Sequence, residues 1–159
     1  MSSSLRRLTS EDVPRLRQFW NDHWSGEFIV TRGFVHQPDQ VEGFVAEEAD
    51  YWTGLITYKI AHDECEVISL DGLREGEGIG TMLLRKVVEE ARIRNCKRIF
   101  LITTNDNLYA LGFYQRRDFE IAAVYRGAMN ESRKIKPGIP EIGQNHIPLR
   151  DEIELEMLL

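Results

Sequence analysis

The sequence predicts an α+β fold in a single domain, with a mixed, mostly antiparallel sheet. Three observations predict it. Strand-like runs between residues 43 and 70 follow one another through short turns, which is hairpin order. A strand, a helix and a second strand then span residues 65–104, and that crossover needs parallel pairing. A last alternating run over residues 151–158 returns to the sheet. The 159 residues are enough for one domain with a sizeable core.

Residues 5–8 read as a short first strand. Thr9 and Asp12 have the spacing of a capping box, so a helix follows. That helix carries Val13, Leu16, Phe19, Trp20 and Trp24 largely on one side, with both tryptophans read as core, and it ends near Ser25-Gly26. Residues 27–33 read as extended, and residues 36–40 as a loop with a short helix. Two hairpin strands, 43–48 and 53–60, are joined by residues 49–52. A second turn at 61–64 leads into a strand over 65–70. Ile79, Leu83, Leu84, Val87, Val88 and Ala91 then recur at i, i+4, i+5 and i+8, one buried helical stripe. Residues 97–104 are β-branched and aromatic and read as a buried strand. A helix begins after Asn107, a strand covers 120–126, a Gly/Pro-punctuated loop covers 136–148, and the final strand follows.

Composition excludes several classes. Hydrophobic content of 42% and charged content of 29% are those of a soluble globular protein. A net charge of −6 argues against nucleic-acid binding, which favours a basic face, and it suits a cationic or amine substrate. No apolar run reaches membrane-spanning length, and Met1 to Arg7 lacks the apolar stretch of a signal peptide, so a cytoplasmic protein is expected. Cys65 and Cys96 are the only cysteines and have no metal-ligand spacing; both read as small buried apolar residues, and no metal is expected.

The stretch from Ser69 to Leu84 carries the chemistry. An apolar strand feeds a loop with glycine at 76, 78 and 80, and the loop opens the amphipathic helix. Helix-starting N–H groups have no internal partner, and the dipole adds partial positive charge there. A bare backbone at such an end suits a phosphate, although a ligand-free strand-to-helix turn has the same composition. A Walker A loop is excluded because no lysine follows a glycine. A dinucleotide fingerprint is excluded because its third glycine falls on Thr81 or Leu83. Glu75-Gly76-Glu77-Gly78-Ile79-Gly80 resembles the acyl-CoA loop of the GNAT acetyltransferases, Arg/Gln-x-x-Gly-x-Gly/Ala, at both glycines, and departs at Glu75. Residues 107–119 resemble the second GNAT signature, Asn-x-x-Ala-x-x-Phe-Tyr-x-x-x-Gly-Phe. They match at Asn107, Ala110, Phe113, Tyr114 and Phe119 and depart at Asp118, a residue that still tolerates the left-handed turn.

The resemblance implies helices on both faces of the sheet and a splay between the strands before the Gly loop and before the second signature. It implies acetyl-CoA as co-substrate, with its pyrophosphate along Glu75, Gly76, Glu77, Gly78, Ile79, Gly80 and Thr81. The backbone of Ile68 and Leu70 would hold the pantetheine, and Asn107 would bond it or cap its helix. Tyr114 would protonate the departing thiolate. Alternation puts Glu64, Glu66, Ile68 and Leu70 on one strand face, and Glu66 or Glu64 would deprotonate the amine. Asp71, at the phosphate end, is the third carboxylate. Glu27, Thr31, Arg32 and His36 fall where the family builds its acceptor wall. Arg126, Arg133, Lys134 and Lys136 read as a solvated loop or as cofactor-facing cations, and His146 with Arg150-Asp151-Glu152 as surface pairs. The expected activity is direct acetyl transfer to a small-molecule or peptide amine, in a monomer or homodimer. The alternatives are a non-catalytic acyl-CoA-binding or regulatory domain, which the departures at Glu75 and Asp118 favour, and a Gly loop that only packs against another chain.

Overall fold

The computed structural model describes residues 3–159. In chain order the strands are β1 (Ser4–Arg7), β2 (Ile29–Thr31), β3 (Phe34–His36), β4 (Glu42–Glu48), β5 (Tyr51–Ala61), β6 (Glu64–Gly72), β7 (Arg98–Thr104), β8 (Glu120–Tyr125) and β9 (Glu152–Leu158). The helices are α1 (Val13–His23), α2 (Ile79–Ile93), α3 (Leu108–Gln115) and α4 (Ala128–Ile135). Seven strands form one sheet in the order β1-β4-β5-β6-β7-β9-β8, and β2-β3 is a separate hairpin. Every neighbouring pair is antiparallel except β6 with β7.

Two apolar layers cover the two faces. On one face the full α2 stripe is buried, from Ile79 to Ala91, and packs with Cys65, Val67, Ile99, Leu101 and the α3 aromatics. On the other, Leu16 and Trp20 of α1 pack on Val45, Leu55 and Ile68. Both cysteines are buried and unpaired. At the start of α1, the Thr9 N–H donates to Asp12 Oδ2 at 2.8 Å, and Arg6 holds the same carboxylate at 2.8 and 2.9 Å. Among the described residues no helix is long and apolar enough to cross a membrane.

The expected order holds, with two additions. Residues 27–33 are not one extended run: Arg32 and Gly33 turn the chain at positive φ, and β3 folds back on β2. Helix α4 is unannounced by periodicity because its eight residues bury only Met129 and Ser132. It is fixed instead by tertiary bonds: the Asp151 carboxylate accepts from the Gly127 N–H at 2.9 Å, and Met129 N–H donates to the Arg150 carbonyl at 3.0 Å. Asp118 does take the left-handed conformation, at φ 71°.

The seat of α2 depends on Gly54 in β5. A Cβ there would lie 2.4 Å from Ile79 Cγ2 and 3.0 Å from the Asp71 carbonyl oxygen. Gly54→Ala is therefore expected to cost about 1–3 kcal/mol of stability, the scale of overpacking a filled site, measured as a lower urea midpoint with an unchanged slope.

Candidate active site

The site begins where β6 and β7 part. Their parallel pairing covers only Glu64–Val67 against Arg98–Leu101. Beyond it β6 runs on to Gly72, while β7 stays bonded to β9 as far as Thr104. At the same point β6 carries a bulge: Thr57 faces Ser69 and Tyr58 faces Val67, so Ile68 is the extra residue. The bulge corrects the expected alternation. Ile68 packs with the α1 layer and Leu70 against the α2 layer, so the two do not share a face. Ser69 and Asp71 instead turn toward α1, where they meet the indoles of Trp20 and Trp24.

The gap opens into a cavity of about 860 Å³, walled by the end of β6, the Gly loop, the start of α2, α3 and the Trp24 end of α1. Leu70, Glu75, Gly76, Gly78, Ile79, Gly80, Thr81, Asn107 and Tyr114 all line it; Ile68 and Glu77 do not. Gly76 and Gly78 stand at φ 78° and 71°, conformations that cost an L-residue about 1–2 kcal/mol. Gly78 is the N-cap of α2. None of the backbone N–H groups from Gly76 to Thr81 has an acceptor among the described residues, so this wall is a row of free donors. Arg74 is drawn off to Glu48 and, at 3.9 Å, to Glu77, and it does not neutralise Glu75.

A cation that sequence reasoning passed over also faces the cavity. Arg117 lies across the Phe113 ring at 3.7 Å, and its Nε donates to Thr81 Oγ1 at 2.9 Å. No local pattern marks it; the fold sets α3 beside the start of α2. Asn107 caps α3, its carbonyl oxygen accepting from Ala110 N–H at 3.1 Å. Tyr114 is wedged edge-on between Phe113 and Phe119, with ring centroids 5.2 and 5.4 Å away. Its hydroxyl has no hydrogen-bond partner among the described residues and meets the cavity. Burial, with Asp71 nearby, raises its pKa well above the usual phenol value and keeps it protonated.

The structure holds both glutamates expected near the reacting centre in side-chain bonds. Glu64 pairs with Arg98 at 3.0 Å, in a network with Glu154 and Glu156. Glu66 sits under the β2-β3 hairpin and accepts from Thr31 Oγ1 at 2.9 Å; that oxygen also meets His36 Nε2 at 2.6 Å. Neither lines the cavity. Asp71 does, and Trp24, expected in the core, donates its indole N–H to it at 2.9 Å. Three other marked residues are held in internal contacts. Lys136 is buried and donates to the Trp24 and Phe28 carbonyls at 2.9 and 2.6 Å. Glu152 is buried on Arg32, and Asp151 on the α4 cap.

The family profile described as the acetyltransferase (GNAT) family spans residues 5–119. The chain belongs to that family. Uncharacterized protein YdhI of Bacillus subtilis is 44% identical over 139 residues, covering 87% of each chain. The fold is also that of solved GNAT structures. An IAA acetyltransferase from Bacillus cereus aligns with a TM-score of 0.76 at 22% identity, over 99% of this chain and 100% of the other. A GNAT acetyltransferase from Elizabethkingia anophelis, solved with acetyl-CoA bound, aligns at 0.70 and 19% identity, over 99% of both.

In this GNAT domain the His36–Thr31–Glu66 chain fastens the hairpin to the sheet. Thr31→Val removes the shared hydroxyl and leaves a buried imidazole and carboxylate unsatisfied. A loss of about 1–3 kcal/mol is expected, read from urea unfolding, with CoA affinity unchanged because none of the three lines the cavity.

Proposed function

We propose that the protein is an acetyl-CoA-dependent N-acetyltransferase that moves acetyl directly to an amine within a ternary complex. One observation carries this reading: a single cavity joins the free N–H row of the Gly loop, the gap between β6 and β7, and the unbonded Tyr114 hydroxyl. The residues fit the ligand. The donors from Gly76 to Thr81 hold the pyrophosphate at the start of α2, with Arg117 supplying the positive charge that Glu75 does not. Beyond Val67 the β7-facing edge of β6 is unpaired, so its N–H and C=O groups bond the pantetheine amides as a strand would. Acetyl-CoA supplies the activated thioester. Tyr114, kept protonated by burial, donates its proton to the departing sulfur.

A second reading is an acyl-CoA-binding domain without turnover. Glu75 favours it, since it sets a carboxylate on the rim of the cavity. Calorimetric titration with CoA and a thiol-release assay over a panel of primary amines test the two readings: binding with release supports the transferase, and binding without release supports the second.

Gly78→Val is expected to abolish CoA binding in that titration, because a side chain at this open position stands where the phosphate must approach. A folded variant that binds CoA normally overturns the loop assignment. Tyr114→Phe keeps the ring between Phe113 and Phe119 and removes only the proton donor. Its rate constant for thiol release is expected to fall by roughly 10²–10⁴, with CoA affinity unchanged. Full activity in that variant moves the acid role to water.

A further inference from the structure

The two edges of the seven-stranded sheet differ. A free strand edge presents unpaired N–H and C=O groups and invites another strand, so soluble proteins shorten it, charge it or cover it. β1 is guarded: it has four residues, and two of them are arginines that pair with Asp12, Glu47 and Glu90. β8, at the other edge, runs Glu120-Ile121-Ala122-Ala123-Val124-Tyr125, with neither lysine nor proline. Its one guard is the bulge at Ala122.

Apolar surface flanks this free edge on both faces. Ile121 and Val124 are 50% and 54% exposed. They stand opposite Leu155 and Ile153 of β9, on the face that α2 covers further along the sheet. On the other face Arg32 lies over the Tyr125 ring and pairs with Glu152, which ties the β2-β3 turn to this end of the sheet. That turn holds out Phe34, 71% exposed.

The charges point to the occupant. Glu120 is exposed and has no salt-bridge partner among the described residues. It lies directly opposite Glu156 of β9, and like charges placed so are destabilising. Arg126, one residue past the other end of β8, is also exposed and without a salt-bridge partner among the described residues. An acid at one end and a base at the other make the strand complementary to its own antiparallel copy.

We propose that β8 pairs antiparallel with β8 of a second copy of this chain, joining two sheets into one across a two-fold axis near Ala122 and Ala123. The axis sets Ile121 of one copy beside Val124 of the other, twice, on the same face. It brings Glu120 to the Tyr125-Arg126 end of the other copy, where a guanidinium answers the carboxylate and relieves its repulsion from Glu156. Only methyl side chains stand at the axis, where the two copies come closest. The bulge keeps the ladder short, so the dimer belongs to the weak class that buries less than about 1,200 Å² in total. No residue of β8 lines the cavity, so pairing and CoA binding are separate properties.

Sedimentation velocity on the full chain, from about 1 to 100 μM, is the measurement, since a weak interface dissociates in the micromolar range. The wild type is expected to pass from monomer to dimer as its concentration rises. Glu120→Arg sets cation against cation at both ends of the interface, and Arg126→Glu sets anion against anion. Each is expected to raise the dimer dissociation constant roughly tenfold or more. An equimolar mixture of those two variants is expected to dimerise again, because each end then meets its opposite charge on the unlike copy. The double variant carrying both substitutions is expected to dimerise for the same reason. Val124→Lys is expected to give monomer, and amide exchange along β8 to slow only at the high concentrations of wild type. These side chains are exposed, so far-UV circular dichroism is expected to stay unchanged in every variant. A wild type that is monomeric at the highest concentration, a dimer that survives Val124→Lys, or a mixture no more associated than its two components overturns the proposal.

Discussion

Everything at the candidate site depends on one constraint, the early end of pairing between β6 and β7. Four residues on each strand are bonded, and then β7 stays with β9 while β6 stays with β5. The bulge at Ile68 lies at the fork. It adds twist, frees one edge of β6, and reverses which residues face which layer. Without it Ser69 and Asp71 would point into the α2 layer and Leu70 into the α1 layer.

The walls of that cavity are tied by polar bonds that cross long stretches of chain. Lys136 fixes the loop after α1, and Trp24 carries that order to Asp71. On the opposite side Asp106, buried between β7 and α3, accepts from Thr104 Oγ1 and from the Gln144 N–H. That contact pulls the loop before β9 onto the cavity, and it requires glycine at 143, where a Cβ would lie 2.1 Å from Asp106 Oδ2. Away from the cavity lining, Arg32 on Glu152 ties the β2-β3 turn to β9, with its guanidinium 3.5 Å over Tyr125. Each bond buries a polar group with a partner, the condition on which such groups are tolerated in an interior.

The electrostatics of the cavity are unusual for a chain of net charge −6 with a glutamate in its phosphate loop. Positive potential comes from geometry more than from residue count. Oriented N–H groups at the start of α2 act as fixed partial charges, and Arg117 is held flat against Phe113 rather than left to solvent. Arg74, adjacent in sequence to Glu75, is committed to Glu48 across the sheet. Charge pairing along the chain is therefore a poor guide to charge pairing in space.

Local sequence determined the parts whose signal is local. The α2 stripe, the capping box at Thr9, the Asn107 cap, the left-handed turn at Asp118 and the glycine loop all follow from residues within a turn or two of one another. The order of elements therefore followed as well. The first signature and the second signature were legible because each is a strand-to-helix unit read in one window. The faces taken by Leu70 and Asp71 were not. Period-two alternation holds only for an unbroken strand, and a bulge is decided by the register of β5 against β6, residues that lie far apart in sequence. Trp24 read as core because a helical stripe cannot distinguish an indole that packs from one that also donates into a cavity. Lys136 and Glu152 read as solvated because charged residues in loops usually are; only the tertiary fold supplies the carbonyls and the arginine that let them be buried. Arg117 and α4 left no periodic trace at all, since their positions are set by the elements that pack against them.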